Sequence, residues 1–265
     1  MKEGSYVMEL CAGIGGFSLG LRLTGEPFRT VCYVEWDKYC QQVLRQRMRD
    51  GVLDDAPIWS DLKTFDGTEW RGVVDLITAG FPCTPFSTAG KQQGEADERN
   101  LWPDVARVIR EVLPASVFLE NVPALLAARG SDGRPYFGRI LGDLAACGYD
   151  ARWDCIPASA VGAHIESDRV WVVASRSKAD SVRRKGCGQR ALGPWNQQQF
   201  ERLVRDCVEH GVPAGGLGRI SDGVSNRVGK LRALGGAVIP AVVARAWANL
   251  NKKESDDVLA EEKTD

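Results

Sequence analysis

Histidine is scarce in this 265-residue sequence, which has two, and His164 and His210 lie outside every motif considered below, so both read as ordinary surface or loop side chains. The eight cysteines form no CxxC pair. Neither a zinc site nor a disulfide framework is therefore expected, and no metal. Apolar runs approaching ~18 residues are absent, and the opening MKEGSYVMEL has no long apolar stretch, so neither a membrane span nor a signal peptide is expected and the cytoplasm is the expected location. One charge does not dominate either. Lys and Arg total 34 against 35 Asp and Glu, so a polyanionic partner has to be met by a local patch. Internal repeats and low-complexity blocks are missing too.

What is present is apolar: 44% of the residues, ample for a core and enough to exclude global disorder, at a length that suits one large domain or a domain with a small appendage. The charge is unevenly spread. Residues 1–175 hold 18 basic and 24 acidic side chains, residues 176–251 hold 13 and 5, and the charged tail from 252, expected to be disordered, holds 3 and 6. An apolar burst over 6–10 runs into CAGIGGF and LGLRL, the pattern of strand, tight turn and helix. Strand 30–34 and amphipathic helix 37–48 repeat it, and two βα units with short connections point to a parallel sheet covered by helices. Further strands are expected at 73–79, 116–119, 150–155 and 169–174, with helices at 101–113, 136–147, 197–208 and 240–250.

Three places could carry chemistry. Gly13, Gly15 and Gly16 let a ligand approach the backbone at the carboxyl edge of the sheet; Glu35, about 20 residues on, is placed to accept from a ribose, and Trp36 offers a stacking face. The plainer alternative is a tight turn with Trp36 in the core. Within GFPCTPFS, Cys83 stands between two prolines at the end of an apolar strand, on a stiff loop where a thiolate can be aimed; a buried structural thiol is the alternative. SVFLENV ends in Glu120 and Asn121. In a partly desolvated pocket the Glu120 carboxyl could give up a proton near neutral pH, and its alternative is to cap the following helical turn.

Taken in order, ELCAGIGGFSLGL, YVEWD, SDL, ITAGFPCTPFSTAGKQQG, FLENV, DRVWVVA and RALGGAVIPAVVARAW resemble the DNA cytosine-5 methyltransferase family over about 1–175 and 218–250. The resemblance implies an α/β, Rossmann-like S-adenosylmethionine-dependent methyltransferase fold with a mostly parallel central sheet and a small target-recognition region. It implies that Cys83 adds to C6 of a cytosine flipped out of double-stranded DNA, that Glu120 pairs with the N3 and amino edge, and that Arg169 contacts O2. A base then removes the C5 proton and Cys83 is eliminated. S-adenosylmethionine is implied as the cofactor, held by Phe17, the glycine turn, Glu35, Trp36, Asp61, Leu62, Pro82, Leu101, Ala237 and Val238. Ser87, Lys91 and Arg99, in a polar segment long enough for a lid, are implied near phosphate or the flipped nucleotide.

The basic cluster Arg176, Lys178, Arg183, Arg184, Lys185 and Arg190 suits phosphate contacts. Accordingly 1–175 is expected to be the catalytic and cofactor-binding domain, 176–217 a short recognition region, and 218–251 a return segment whose C-terminal helix packs on the catalytic domain. A monomer acting on double-stranded DNA is expected, with a cognate restriction endonuclease as a candidate partner. The family pattern is broken at Cys11, where phenylalanine is usual, at Gly236, where asparagine is usual, and at Ser167, where the first arginine of a pair is usual. A transfer-RNA methyltransferase on the same scaffold and a relative that binds without turnover are the alternative readings.

Overall fold

The computed structural model describes residues 4–82, 100–164, 167–176 and 237–251. Its strands are β1 (Ser5–Leu10), β2 (Phe28–Val34), β3 (Ile58–Trp59), β4 (Leu76–Gly80), β5 (Ser116–Asn121), β6 (Tyr149–Pro157) and β7 (Asp168–Arg176), in the spatial order β3-β2-β1-β4-β5-β7-β6. The helices are α1 (Gly16–Leu23), α2 (Lys38–Arg49), α3 (Trp102–Val112), α4 (Ala124–Ala127), α5 (Tyr136–Ala146) and α6 (Pro240–Leu250).

Strands β1 to β5 pair in parallel, as successive βα units require, whereas β7 runs antiparallel to both β5 and β6. The link from β6 to β7 is too short for a parallel crossover, so the pair closes as a hairpin. From β1 the chain steps outward to β2 and β3 and then returns to β4 on the other side. The direction of strand succession therefore reverses between β1 and β4, and in open α/β sheets ligands bind outside the carboxyl ends of the strands at that point.

One face of the sheet packs Met8, Leu10, Ile77, Val117 and Leu119 under α3 and α5; the other packs Val7, Leu76, Phe118 and Val173 under α1 and α6. α6 sits directly on α1. A Cβ at Gly20 would lie 2.6 Å from the Pro240 carbonyl oxygen and closer still to Val243, so the helices could not approach as they do with any larger residue there. Trp247 completes the contact by donating Nε1 to Glu26 Oε1 at 2.9 Å.

Against expectation, β4 begins at Leu76 rather than at 73. The Trp70 carbonyl accepts the N–H groups of Val73 and Val74, which prolongs the turn after the 3-10 helix Thr68–Trp70. The two-residue β3, α4 and this turn carry no sequence pattern long enough to announce them. Of the five described cysteines only Cys32 and Cys40 are buried; Cys11 and Cys147 are partly so and Cys155 is exposed. His164 is exposed, as expected. No helix among the described residues is long and apolar enough to cross a membrane. The expected helix 197–208, the tail from 252 and nearly all of the recognition region lie outside the described residues.

Candidate active site

The turn after β1 is left-handed at Gly13 (φ 55°) and Gly15 (φ 86°), and also at Cys11 (φ 50°). Two carboxylates brace it. Glu35 Oε2 accepts the Gly13 N–H at 2.6 Å and Oε1 accepts the Asp37 N–H at 2.7 Å, while its backbone is fixed by Gln41 and by the Trp59 carbonyl. Burial raises the Glu35 carboxyl above its ordinary range, and these N–H donors oppose the shift. The Gly13, Trp36 and Asp37 N–H groups together still leave the carboxylate lone-pair capacity that a hydroxyl could fill. Trp36, next in the chain, is 74% exposed. It is a free stacking face, and the core alternative is wrong.

The second carboxylate is Glu9, which sequence reasoning passed over. Lying in β1 beneath the turn and wholly buried, it accepts the N–H of Phe17 at 3.2 Å and that of Ser18 at 3.1 Å, together with the Ser18 hydroxyl. Ser18 Oγ also meets Thr30 Oγ1 at 2.7 Å. Burial pushes Glu9 up to about 7 against the lowering effect of the Ser18 and Phe17 donors. One signal was available: a charged residue inside the apolar run YVMEL of a strand covered on both faces.

Phe17, held through its N–H, sets its ring edge-on to Phe118 (centroids 5.2 Å, 86°) and to Trp171 (5.8 Å, 70°). A Cβ added to Gly80 would meet the Phe17 ring at 3.5 Å on one side and Glu120 Oε2 at 3.2 Å on the other. The ring and the carboxylate therefore share the space above Gly80. At Gly16 an added Cβ would lie 2.6 Å from Val238 Cγ2 and 3.0 Å from the Val238 carbonyl, so the glycine turn and the Ala237–Val238 segment, distant in sequence, are in direct contact.

Glu120, the penultimate residue of β5, is in register with Gly80 on one side and Trp171 on the other. It is buried, and its Oε1 is 2.8 Å from Arg169 Nε. Burial pushes its carboxyl up to about 7, with the Arg169 charge and hydrogen bond opposing. Glu120 lines a small cavity bounded also by Phe81, Asn121, Phe137 and Val170. α4 has no side-chain cap, so Glu120 does not take the capping role. A carboxyl half-protonated near neutrality beside a guanidinium can hold or release a proton at a ring edge. Asn121 was singled out only by position; its Nδ2 donates to the Phe81 carbonyl at 3.0 Å and so fixes the end of β4.

Asp61 begins the 3-10 turn Leu62–Thr64 and accepts the Lys63 N–H at 2.9 Å, while Leu62 is buried and Leu101 packs partly buried against the same core. Pro82 is exposed beyond Phe81, whose ring stacks at a tilt on Trp102 (5.5 Å). Ser167, at one departure from the family pattern, uses its carbonyl to accept from Ala158 N at 3.0 Å. Cys11, at another, stands partly buried with its thiol pushed up to about 12 by burial, an unreactive form. Cys83, Ser87, Lys91, Arg99, Arg183, Arg184, Lys185 and Gly236 lie outside the described residues. No cluster of three His, Cys, Asp or Glu able to hold a metal occurs among the described residues.

Residues 6–214 match the family C-5 cytosine-specific DNA methylase. The Type II methyltransferase M.NgoMIV of Neisseria gonorrhoeae is 36% identical over 171 residues, 64% of this chain and 52% of that protein. M.HhaI of Haemophilus parahaemolyticus is 38% identical over 120 residues, 45% of this chain and 34% of that protein. The chain thus spans about half the length, or less, of the curated relatives it matches. Among solved structures, a DNMT2 variant of Spodoptera frugiperda superposes with a TM-score of 0.61 at 14% identity, covering 94% of this chain and all of that one. The methyltransferase EhMeth of Entamoeba histolytica gives 0.63 at 13% identity, covering 95% of this chain and all of that one. At such identities these two likenesses concern the fold: an α/β, Rossmann-like architecture.

Proposed function

The chain belongs to the C-5 cytosine-specific DNA methylase family, and we propose that it methylates C5 of a cytosine flipped out of double-stranded DNA, with S-adenosylmethionine as donor. The observation that carries this reading is the buried Glu120–Arg169 pair at the carboxyl edge of the sheet, in register with Gly80 and so three residues from Cys83 along the chain.

The residues around the reversal point fit the cofactor: an exposed indole at Trp36, a carboxylate at Glu35 with lone pairs to spare, and a glycine turn against Val238. Phe17, Gly13, Gly15, Gly16, Glu35, Trp36, Asp61, Leu62, Pro82, Leu101, Ala237 and Val238 would hold it. When bound, it supplies an electrophilic methyl group. Cytosine is electron-poor at C6, so addition of the Cys83 thiolate there makes C5 nucleophilic. Glu120 holds a proton at N3 and relieves the charge that addition places on the ring, while Arg169 keeps Glu120 oriented and reaches O2. Once C5 has taken the methyl, a base removes its proton, the C5–C6 double bond re-forms and the Cys83 sulfur leaves with its electron pair. None of this can occur inside the base stack, so the nucleotide must leave the duplex. Ser87, Lys91, Arg99 and the basic residues Arg183, Arg184 and Lys185 would meet phosphate in a monomeric complex.

Transfer of labelled methyl from S-adenosylmethionine to unmethylated duplex DNA, followed by bisulfite sequencing, tests the reading. Label at C5 in one sequence context, absent with Cys83→Ser, is expected. Label on transfer RNA alone, or on neither nucleic acid while the cofactor is bound, overturns it.

A further inference from the structure

Asp61 and Leu62 stand just beyond the two-residue β3, on a stretch tied down by α3. Arg107 Nη2 donates to the Leu62 carbonyl at 2.7 Å and Nη1 to the Phe65 carbonyl at 2.7 Å. Glu111, one turn along the same helix, lies 2.9 Å from Nη1 through both its oxygens and also accepts the Gly67 N–H at 2.9 Å. The backbone is drawn so close that a Cβ at Gly67 would lie 3.0 Å from Val112 Cγ2 and 3.1 Å from Glu111 Cβ. Arg71 closes the far end by donating to the carbonyls of Glu111 and Arg110, each at 2.8 Å. The other end of α3 meets β4: Trp102 stacks on Phe81 and donates Nε1 to Asp143 Oδ2 at 2.7 Å. One helix therefore touches both the stretch that carries Asp61 and Leu62 and the residues that lead to Cys83.

We propose that Arg107 is a positioning residue for the part of the cofactor site formed by Asp61 and Leu62: from α3 it fixes the Leu62 and Phe65 carbonyls, and through them the place of both residues. This rests on the cofactor site proposed above. The planar guanidinium spans two carbonyls at once, with Glu111 fixing its orientation; a lysine ammonium, a point charge on a flexible stem, does not hold both in one geometry.

Three measurements test it: equilibrium binding of S-adenosylhomocysteine, steady-state methyl transfer with S-adenosylmethionine varied, and hydrogen exchange. Arg107→Met is expected to weaken S-adenosylhomocysteine about 10-fold and to raise KM for S-adenosylmethionine by a similar factor, with kcat changed by less than about 3-fold. Arg107→Lys recovers only part of this. Glu111→Gln leaves the carbonyl contacts in place and costs about 3-fold. Hydrogen exchange is expected to rise at the amides of Lys63, Thr64 and Phe65 while β1 and β4 stay protected. Affinity unchanged in folded Arg107→Met overturns the proposal, as does a kcat that falls as far as KM rises. If the methionine variant does not fold, Arg107→Lys and Glu111→Gln decide by the same split. A wild-type protein that fails to bind S-adenosylhomocysteine overturns the cofactor reading itself, whereas wild-type binding with indifferent variants removes only the role of Arg107.

Discussion

Glu9, under the glycine turn, and Glu120, at the end of β5, are both buried and both pushed to about 7 by that burial, yet what opposes the shift differs. Glu9 is met by the Ser18 hydroxyl and by two backbone N–H groups of α1, and those N–H groups cannot move away unless the first turn of the helix unwinds. Glu120 is met by one guanidinium on a side chain, which can turn to another acceptor. The first arrangement holds backbone; the second leaves a carboxyl able to meet a ring. Displaced acidity alone therefore does not mark a catalytic acid. Both groups also act on stability. Each folded-state value lies above the ordinary 4.5, so the folded protein holds extra protons between about 4.5 and about 7. Stability falls as pH rises through that window, and above it each carboxylate costs on the order of 3 kcal/mol.

The contrast can be broken at several points. Cys83→Ser is expected to lower methyl transfer by about 10³-fold or more with folding and cofactor affinity nearly intact; turnover within about 10-fold of wild type removes the nucleophile from the catalytic half. Glu120→Gln keeps an acceptor for Arg169 and loses the titrating proton, so kcat should drop about 10²-fold and the fall in rate as pH rises past about 7 should vanish. A variant retaining that fall places the titration elsewhere. Glu9→Gln, on the cofactor half, should weaken S-adenosylmethionine binding about 10-fold because one N–H loses its acceptor, and leave kcat at saturation almost unchanged. It should also flatten the decline of Tm between about pH 5 and 7, and an undiminished slope there would show that Glu9 is not the group responsible. Smallest in its effect on the fold is Trp36→Ala: Tm within about 2 °C of wild type, cofactor affinity reduced several-fold. Unaltered affinity would leave Trp36 as plain surface.

Much of this was legible in the chain. The strand, glycine turn and helix over 5–23 announce themselves by an apolar run meeting closely spaced glycines, and α6 has the bounds its pattern predicts because Pro240 sits in the first turn, where a missing N–H costs nothing. Glu120 was found because a carboxylate ends an apolar strand. Glu9 was missed for the converse reason: it lies inside one, and its partners on α1 become neighbours only when the helix folds back over the sheet. Asn121 on the Phe81 carbonyl and Arg107 on the Leu62 carbonyl escape for the same cause, since a side chain's bond to distant backbone leaves no periodicity. The antiparallel β7 required the pairing order, which local patterns do not contain.

The seat of α6 on α1 also has a meaning in time. The apolar face of α1 forms from residues 16–23, but the helix that covers it comes from residues 240–250, and the Trp247–Glu26 hydrogen bond spans 221 residues. At synthesis rates of ~5–20 residues per second, that face waits roughly 10–45 s for its cover while the chain grows. The sheet between them can pair meanwhile, before the distant helix returns to α1. A nascent chain halted before that return keeps the apolar face of α1 uncovered, beside the proposed cofactor turn.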